Sequence, residues 1–227
     1  MSAQSIPVIE IPAKDLNHLD PDNFSFGKNF TNYMLAAEYS DGAWKNAVIK
    51  KFQPLSLDPS SAALHYGQTI FEGIKAFKNE KGEVAIFRPD QNFIRFNTSA
   101  ERMQMPTVPD WLFMDGMKQL VALEKDWIPN IPEASLYIRP FMIATDPFLG
   151  VRPSLTYKFM IILGPSGPYF SAPMKILIEE KYTRATPGGV GFAKNGGNYG
   201  EVYILLHWRK KKGMIKYCGP MLSNINL

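Results

Sequence analysis

Six glycines crowd around one lysine near the end of this 227-residue sequence: Gly188-Gly189-Val190-Gly191-Phe192-Ala193-Lys194-Asn195-Gly196-Gly197-Asn198-Tyr199-Gly200. Glycines let a backbone approach a bulky ligand closely and leave N–H groups for a phosphate or carboxylate. A lysine in such a place can lose its proton by desolvation and form a Schiff base with a carbonyl. The Tyr199 hydroxyl would then be available to a phenolate oxygen. The segment is not a Walker loop, because no Ser or Thr follows Lys194, and Lys194 stands where the last glycine of a dinucleotide fingerprint would be. The opposing reading is a mobile surface loop with an exposed lysine, and spacing alone leaves both open.

Two further groups bear chemistry. Arg95 falls about two turns into a helix opened by Pro89, where it is either solvated or a bidentate phosphate fork. Tyr137 and Arg139 share one face of a strand by its alternation, as a carboxylate clamp or as a surface pair. Other schemes find less support. His18, His65 and His207 lack metal-ligand spacing, and no G-x-S-x-G is present.

The elements that must position these groups follow from pattern. Residues 1–25 read as an extended arm rich in Pro and Asp. The segments 30–39 and 47–55 form a hairpin about the turn Ser40-Asp41-Gly42. Gly67 and Gly73 argue against one long helix over 64–77. A strand over 83–88 precedes the Pro89 helix, with Phe93, Phe96, Ala100 and Met103 near helical spacing. A second amphipathic helix is expected over 108–125, and strands over 136–143, 157–163 and 175–179. Gly164-Pro165-Ser166-Gly167-Pro168 reads as a linker, which puts a domain boundary near 164–171. Antiparallel-looking strands with interspersed helices make the fold class α+β.

Composition narrows the function further. Hydrophobic residues make up 45% and aromatic residues 13%, enough for a sizeable core. The net charge of +4 owes five cations to residues 205–227, so the rest carries −1, which argues against nucleic-acid binding. No apolar run reaches the roughly 18 residues of a membrane helix. One cysteine, Cys218, and no signal-peptide pattern point to the cytoplasm.

Several stretches together resemble branched-chain amino acid aminotransferases. They are Phe26-Gly27-Lys28-Asn29-Phe30-Thr31, Leu64-His65-Tyr66-Gly67-Gln68, Phe71-Glu72-Gly73-Ile74-Lys75-Ala76-Phe77, Phe87-Arg88-Pro89 through Arg95, Leu136-Tyr137-Ile138-Arg139-Pro140 and Gly188–Gly200, in order from about residue 22 to 200. The resemblance implies the fold of the fold-type IV pyridoxal-phosphate enzymes: a small α+β domain over 1–165, then 166–204 as linker and start of a larger pseudo-barrel domain. It implies a homodimer acting on leucine, isoleucine or valine with 2-oxoglutarate and glutamate, with no nucleic-acid or membrane partner. Lys194 matches the lysine that carries pyridoxal 5′-phosphate, Arg95 the phosphate-binding arginine, and Tyr199 the tyrosine at the phenolate oxygen. Phe26, Tyr66, Phe71, Tyr137 and Arg139 match residues around the substrate, the last pair Tyr137 and Arg139 reaching in from the partner subunit. A D-amino acid aminotransferase, an aminodeoxychorismate lyase and a non-catalytic interaction domain are the alternatives. The Phe71–Phe77 stretch with Tyr66 argues for the branched-chain group.

The resemblance stops shortly after Tyr199, before the family's glutamate that faces the pyridine nitrogen. With each codon begun at the third base of the one before, Leu206–Asn226 can be encoded to read T-L-A-K-K-K-G-Y-D-Q-I-L-W-T-D-A, which resembles the family's own continuation. Met214 followed by Ile215 permits only Asp in that frame. Residues 205–227 are therefore expected to be an out-of-frame tail after a single-base shift near 203–206, the rival being a genuine alternative C-terminus. A product ending there is expected to have negligible transaminase activity.

Overall fold

In this computed structural model, residues 5–168, 176–178, 183–200, 203 and 216–218 are described. A seven-stranded antiparallel sheet holds the chain together. Its first two strands, β1 (Tyr33–Ser40) and β2 (Ala43–Lys51), form the expected hairpin. Asp41 and Gly42 turn it with φ of 51° and 77°, the left-handed pair that matches strand twist. The glycine-interrupted stretch becomes a short helix α1 (Ala62–His65) and the strands β3 (Thr69–Phe71) and β4 (Ile74–Lys78), followed by β5 (Val84–Ile86). The long strands β6 (Ser135–Ala144) and β7 (Tyr157–Ser166) lie at the centre of the order β2-β1-β7-β6-β4-β5, and β3 also pairs with β6.

Two helices cover one face. α2 (Pro89–Arg102) opens on Pro89, whose missing N–H costs nothing in the first turn. The second helix differs from expectation at its start: Trp111–Asp115 is a π-helical turn leading into α3 (Gly116–Leu123). Here Leu112 and Phe113 are both buried, and a wider turn brings consecutive side chains inward. Strand alternation on β6 sends Leu136, Ile138, Met142 and Ala144 into the core, where Phe96, Phe113 and Phe159 also meet. Tyr137, Arg139, Phe141 and Ile143 stand on the opposite, partly exposed face.

The stretch read as a linker is in part strand, since β7 continues through Gly164-Pro165-Ser166. Pro165 is tolerated because β1 pairs with β7 only as far as Ile161, so no ladder partner awaits its missing N–H on that side. Gly164 is required, because a Cβ there would lie 2.6 Å from the Asn29 carbonyl oxygen. Ile176–Ile178 (β8) pairs in parallel with Lys216–Cys218 (β9). Residue 171, the outer residues 175 and 179 of the expected strand, and the tail except 216–218 lie outside the described residues. No helix among the described residues is long and apolar enough to cross a membrane, and no metal-holding cluster occurs among them.

One buried acid gives the fold a pH dependence. Glu124, 3% exposed, follows α3, and its Oε1 accepts the Tyr33 N–H at 2.6 Å. Burial pushes its carboxyl above the ordinary range, against hydrogen bonds from Tyr33, Asn32 and Thr31 that pull it down. The folded chain therefore keeps this proton to higher pH than the unfolded chain. The associated stability is present below the unfolded pKa and is lost as pH rises through the folded one. Glu124→Gln keeps an acceptor and removes the charge. Its urea midpoint should change less than the wild type's between pH 4 and pH 7, and an equal change in both would contradict the assignment.

Candidate active site

The glycine segment is pinned to the sheet and to α2. The Lys194 N–H donates to Ser99 Oγ at 2.9 Å, and the Lys194 carbonyl accepts from the Phe71 N–H at 3.0 Å. The Gly196 N–H donates to the Thr69 carbonyl at 3.1 Å, and Asn195 bridges Ile70. The segment thus lies along β3. Gly196 must be glycine for this, since a Cβ would sit 2.7 Å from Thr69 Cγ2. Buried Asn198 ties the segment to itself by donating to the Val190 and Ala193 carbonyls at 3.0 and 2.8 Å. Of the two readings of this segment, these anchors support the one in which the lysine is held in place. Sequence reasoning missed Ser99 and Asn198, although a serine on the apolar side of a helix was a usable signal.

These anchors direct Lys194 Nζ to the Tyr199 hydroxyl, 3.1 Å away, and to a point 4.6 Å from the Phe71 ring centre. Tyr199 and Phe71 lie 5.2 Å apart. The Arg139 guanidinium meets Phe71 at 4.5 Å, and its Nη2 donates to the Tyr137 hydroxyl at 2.8 Å. Phe26, from the N-terminal arm, packs edge-on against Tyr137 at 4.9 Å. Phe26, Tyr137, Arg139 and Ile162 line a cavity of about 190 Å³. A larger open groove of about 690 Å³, bordered by Tyr39, Glu101, Gln104 and Leu155, contains none of these groups.

Arg95 lies on α2. Its Nε and Nη2 donate to Glu72 at 2.5 and 2.8 Å. This pairing raises the guanidinium pKa above its ordinary value, and Tyr199 adds to the effect through its charge. Arg139 and Lys194 both meet the Phe71 ring, while Arg95, paired with the Glu72 carboxylate, interacts with Tyr199 through charge. Arg139 Nε is moreover buried and has no hydrogen-bond partner among the described residues. A site with surplus positive charge and an orphaned buried donor is built for an anion.

Tyr66 is the candidate not drawn into this cluster. It is 46% exposed and its ring contact is with His65 at 6.2 Å, although Gly67 behind it packs on Gly197. Tyr137 and Arg139 lie beside Gly73 and Phe71 within the chain itself, whichever subunit's site they serve. The cause is sheet pairing, which sets Tyr137 opposite Lys75 and Phe141 opposite Phe71.

No family model matches the chain. Among curated proteins it is 50% identical over 185 residues to branched-chain-amino-acid transaminase 1 of Bacillus subtilis (strain 168), covering 79% of this chain and 52% of that protein. Branched-chain-amino-acid aminotransferase 2 of the same organism is 47% identical over 217 residues, covering 94% of this chain and 60% of its own length. The chain thus spans about half the length of the curated relatives it matches. Among solved structures, the Escherichia coli branched-chain amino acid aminotransferase aligns with a TM-score of 0.65 at 22% identity, over 84% of this chain and 60% of that one. A second branched-chain amino acid aminotransferase, from the source abbreviated T.th. and complexed with 4-methylvaleric acid, aligns with a TM-score of 0.61 at 26% identity, over 83% and 58%. The α+β, fold-type IV expectation agrees with these neighbours.

Proposed function

We propose, from this chain's kinship with the branched-chain-amino-acid aminotransferases, that it carries the lysine-bearing part of such an enzyme. Its reaction moves the amino group of leucine, isoleucine or valine to 2-oxoglutarate with pyridoxal 5′-phosphate. The observation that carries this reading is the Lys194 amine, 3.1 Å from the Tyr199 hydroxyl and sharing the Phe71 ring with Arg139. The donor set fits the cofactor. Lys194 offers an amine to its carbonyl carbon, Tyr199 a hydroxyl to its phenolate oxygen, and Arg95 its uncommitted Nη1 to the phosphate. When bound, the cofactor supplies an electron sink for the bond broken at the substrate's Cα.

The residues divide the remaining work. Lys194 Nζ would take the proton from the substrate's Cα and give it back. Tyr199 keeps that nitrogen oriented. Arg139, with its orphaned Nε, and Tyr137 hold the substrate carboxylate. Phe26 and Phe71 supply apolar walls for a branched side chain, and Tyr66, exposed here, would have to turn inward to join them. Release of the first 2-oxo acid before 2-oxoglutarate enters, with glutamate leaving last, would give ping-pong kinetics, Lys194 serving as proton carrier in both directions. The working unit is a homodimer in the cytoplasm. Leu149, Val151 and Leu155, exposed by 63%, 87% and 67%, support burial of that loop in an assembly.

The test is proton exchange at Cα in deuterated water with added pyridoxal phosphate, a partial reaction that asks less of the chain than complete transamination. L-leucine, L-isoleucine and L-valine should exchange and D-alanine should not. Exchange of D-alanine alone would favour a D-amino acid enzyme, and exchange of none would overturn the catalytic reading. A related prediction concerns Gly73, where a Cβ would lie 2.3 Å from the Tyr137 hydroxyl oxygen. Gly73→Ala displaces Tyr137 and breaks its bond from Arg139. The affinity for 4-methylvaleric acid, read by calorimetry, should fall about tenfold, the value of one hydrogen bond to a charged group. Unchanged affinity would remove Tyr137 from the carboxylate site.

A further inference from the structure

Glu72 occupies the corner between β3 and β4, and its side chain has no solvent exposure. A buried carboxylate is costly unless its lone pairs are filled. Here they are filled by four donors. Arg95 Nε bonds Oε1, while Arg95 Nη2 at 2.8 Å, Asn92 Nδ2 at 2.7 Å and the Gly73 N–H at 3.1 Å all bond Oε2. The corner itself is held by the Glu72 N–H, which donates to the Pro140 carbonyl at 2.8 Å.

This arrangement fixes one edge of a guanidinium and leaves another free. Arg95 spends its Nε–Nη2 edge on Glu72, yet its side chain remains 53% exposed. Among the described residues nothing accepts from Nη1. A long arginine side chain otherwise spreads over many rotamers, and ordering it on binding weakens any ligand. The buried carboxylate has already ordered it in the plane that these bonds set, within electrostatic reach of Tyr199.

We propose that Glu72 is a positioning residue: it acts through Arg95, holding the Nη1–Nη2 edge ready for the phosphate of a pyridoxal phosphate, and touches neither cofactor nor substrate. Asn92 shares the task by anchoring the same carboxylate. This rests on the cofactor reading above. It predicts an effect confined to the phosphate, because a ligand without that group does not engage Arg95.

The experiment compares binding of pyridoxal phosphate and of pyridoxal, followed by absorbance, in the wild type, Glu72→Gln, Arg95→Ala and the double variant. The glutamine presents an amide N–H₂ to the guanidinium in place of an acceptor oxygen. Glu72→Gln should weaken pyridoxal phosphate about tenfold while pyridoxal binding stays within twofold. Arg95→Ala should reduce the same preference, and in its background Glu72→Gln should change nothing further. Equal weakening of both ligands by Glu72→Gln, or no weakening of either, would overturn the positioning role. If Arg95→Ala leaves the preference intact, the cofactor reading fails instead. Should Glu72→Gln not fold, Asn92→Ala gives the same readout, with a smaller loss confined to pyridoxal phosphate expected and an equal loss for both ligands contradicting the proposal.

Discussion

Lys194→Ala is expected to slow exchange of the L-leucine Cα proton by roughly 10²–10⁴-fold, the usual worth of a positioned acid–base group. The magnitude follows from the surroundings of Nζ. The only polar side-chain group bonded to it among the described residues is the Tyr199 hydroxyl. The substitution leaves the backbone anchors at Ser99 and Phe71 in place and removes no core packing, since the Lys194 side chain is partly exposed. The urea midpoint should therefore not move. Added ethylamine should restore part of the exchange, because a small amine can occupy the vacated space. Retained exchange in the variant, or lost exchange together with lost folding, would remove Lys194 from the proton-transfer role.

The second large effect is on stability. Phe159 on β7 is fully buried and faces the rings of Phe96 at 5.5 Å, Phe113 at 5.9 Å and Trp44 at 6.1 Å. It thereby joins both helices to the middle of the sheet. Phe159→Ala removes the ring and leaves a cavity that three large neighbours on rigid elements cannot close. The expected loss is about 3–5 kcal/mol. Domains are commonly stable by only about 5–15 kcal/mol, so much of the population should unfold at modest urea. Phe159→Leu, which keeps most of the volume, should lose far less. A loss below about 1 kcal/mol in the alanine variant would mean that the aromatic cluster does not bind helices to sheet.

Lys194 and Arg95 stood out in the sequence through a glycine run and a proline-opened helix, but those patterns left bland readings open, and it was the family resemblance that named the roles of Lys194, Arg95 and Tyr199. What local pattern could not give was their company. Glu72 is twenty-three residues from Arg95 and reads as an ordinary acid between strands, yet it is completely buried against it. Ser99, which fixes the Lys194 backbone, is ninety-five residues away. Spacing left the glycine segment undecided because the deciding bonds come from β3 and α2. The hairpin and α2 were legible from alternation and from Pro89. The π-turn at Trp111–Asp115 was not, since Trp111, Leu112, Phe113 and Met114 are all apolar and mark no face. Gly164-Pro165 carries a linker's composition, and only the end of β1 at Tyr33 allows it to remain strand.

The central claim is that Lys194, among the lysines of this chain, is the one that takes the cofactor. Borohydride reduction in the presence of equimolar pyridoxal phosphate, followed by peptide mapping, tests it directly. The account predicts one stable adduct, on the peptide containing Lys194, absent when excess inorganic phosphate competes at Arg95. A label spread over surface lysines, or a single adduct elsewhere, would contradict it.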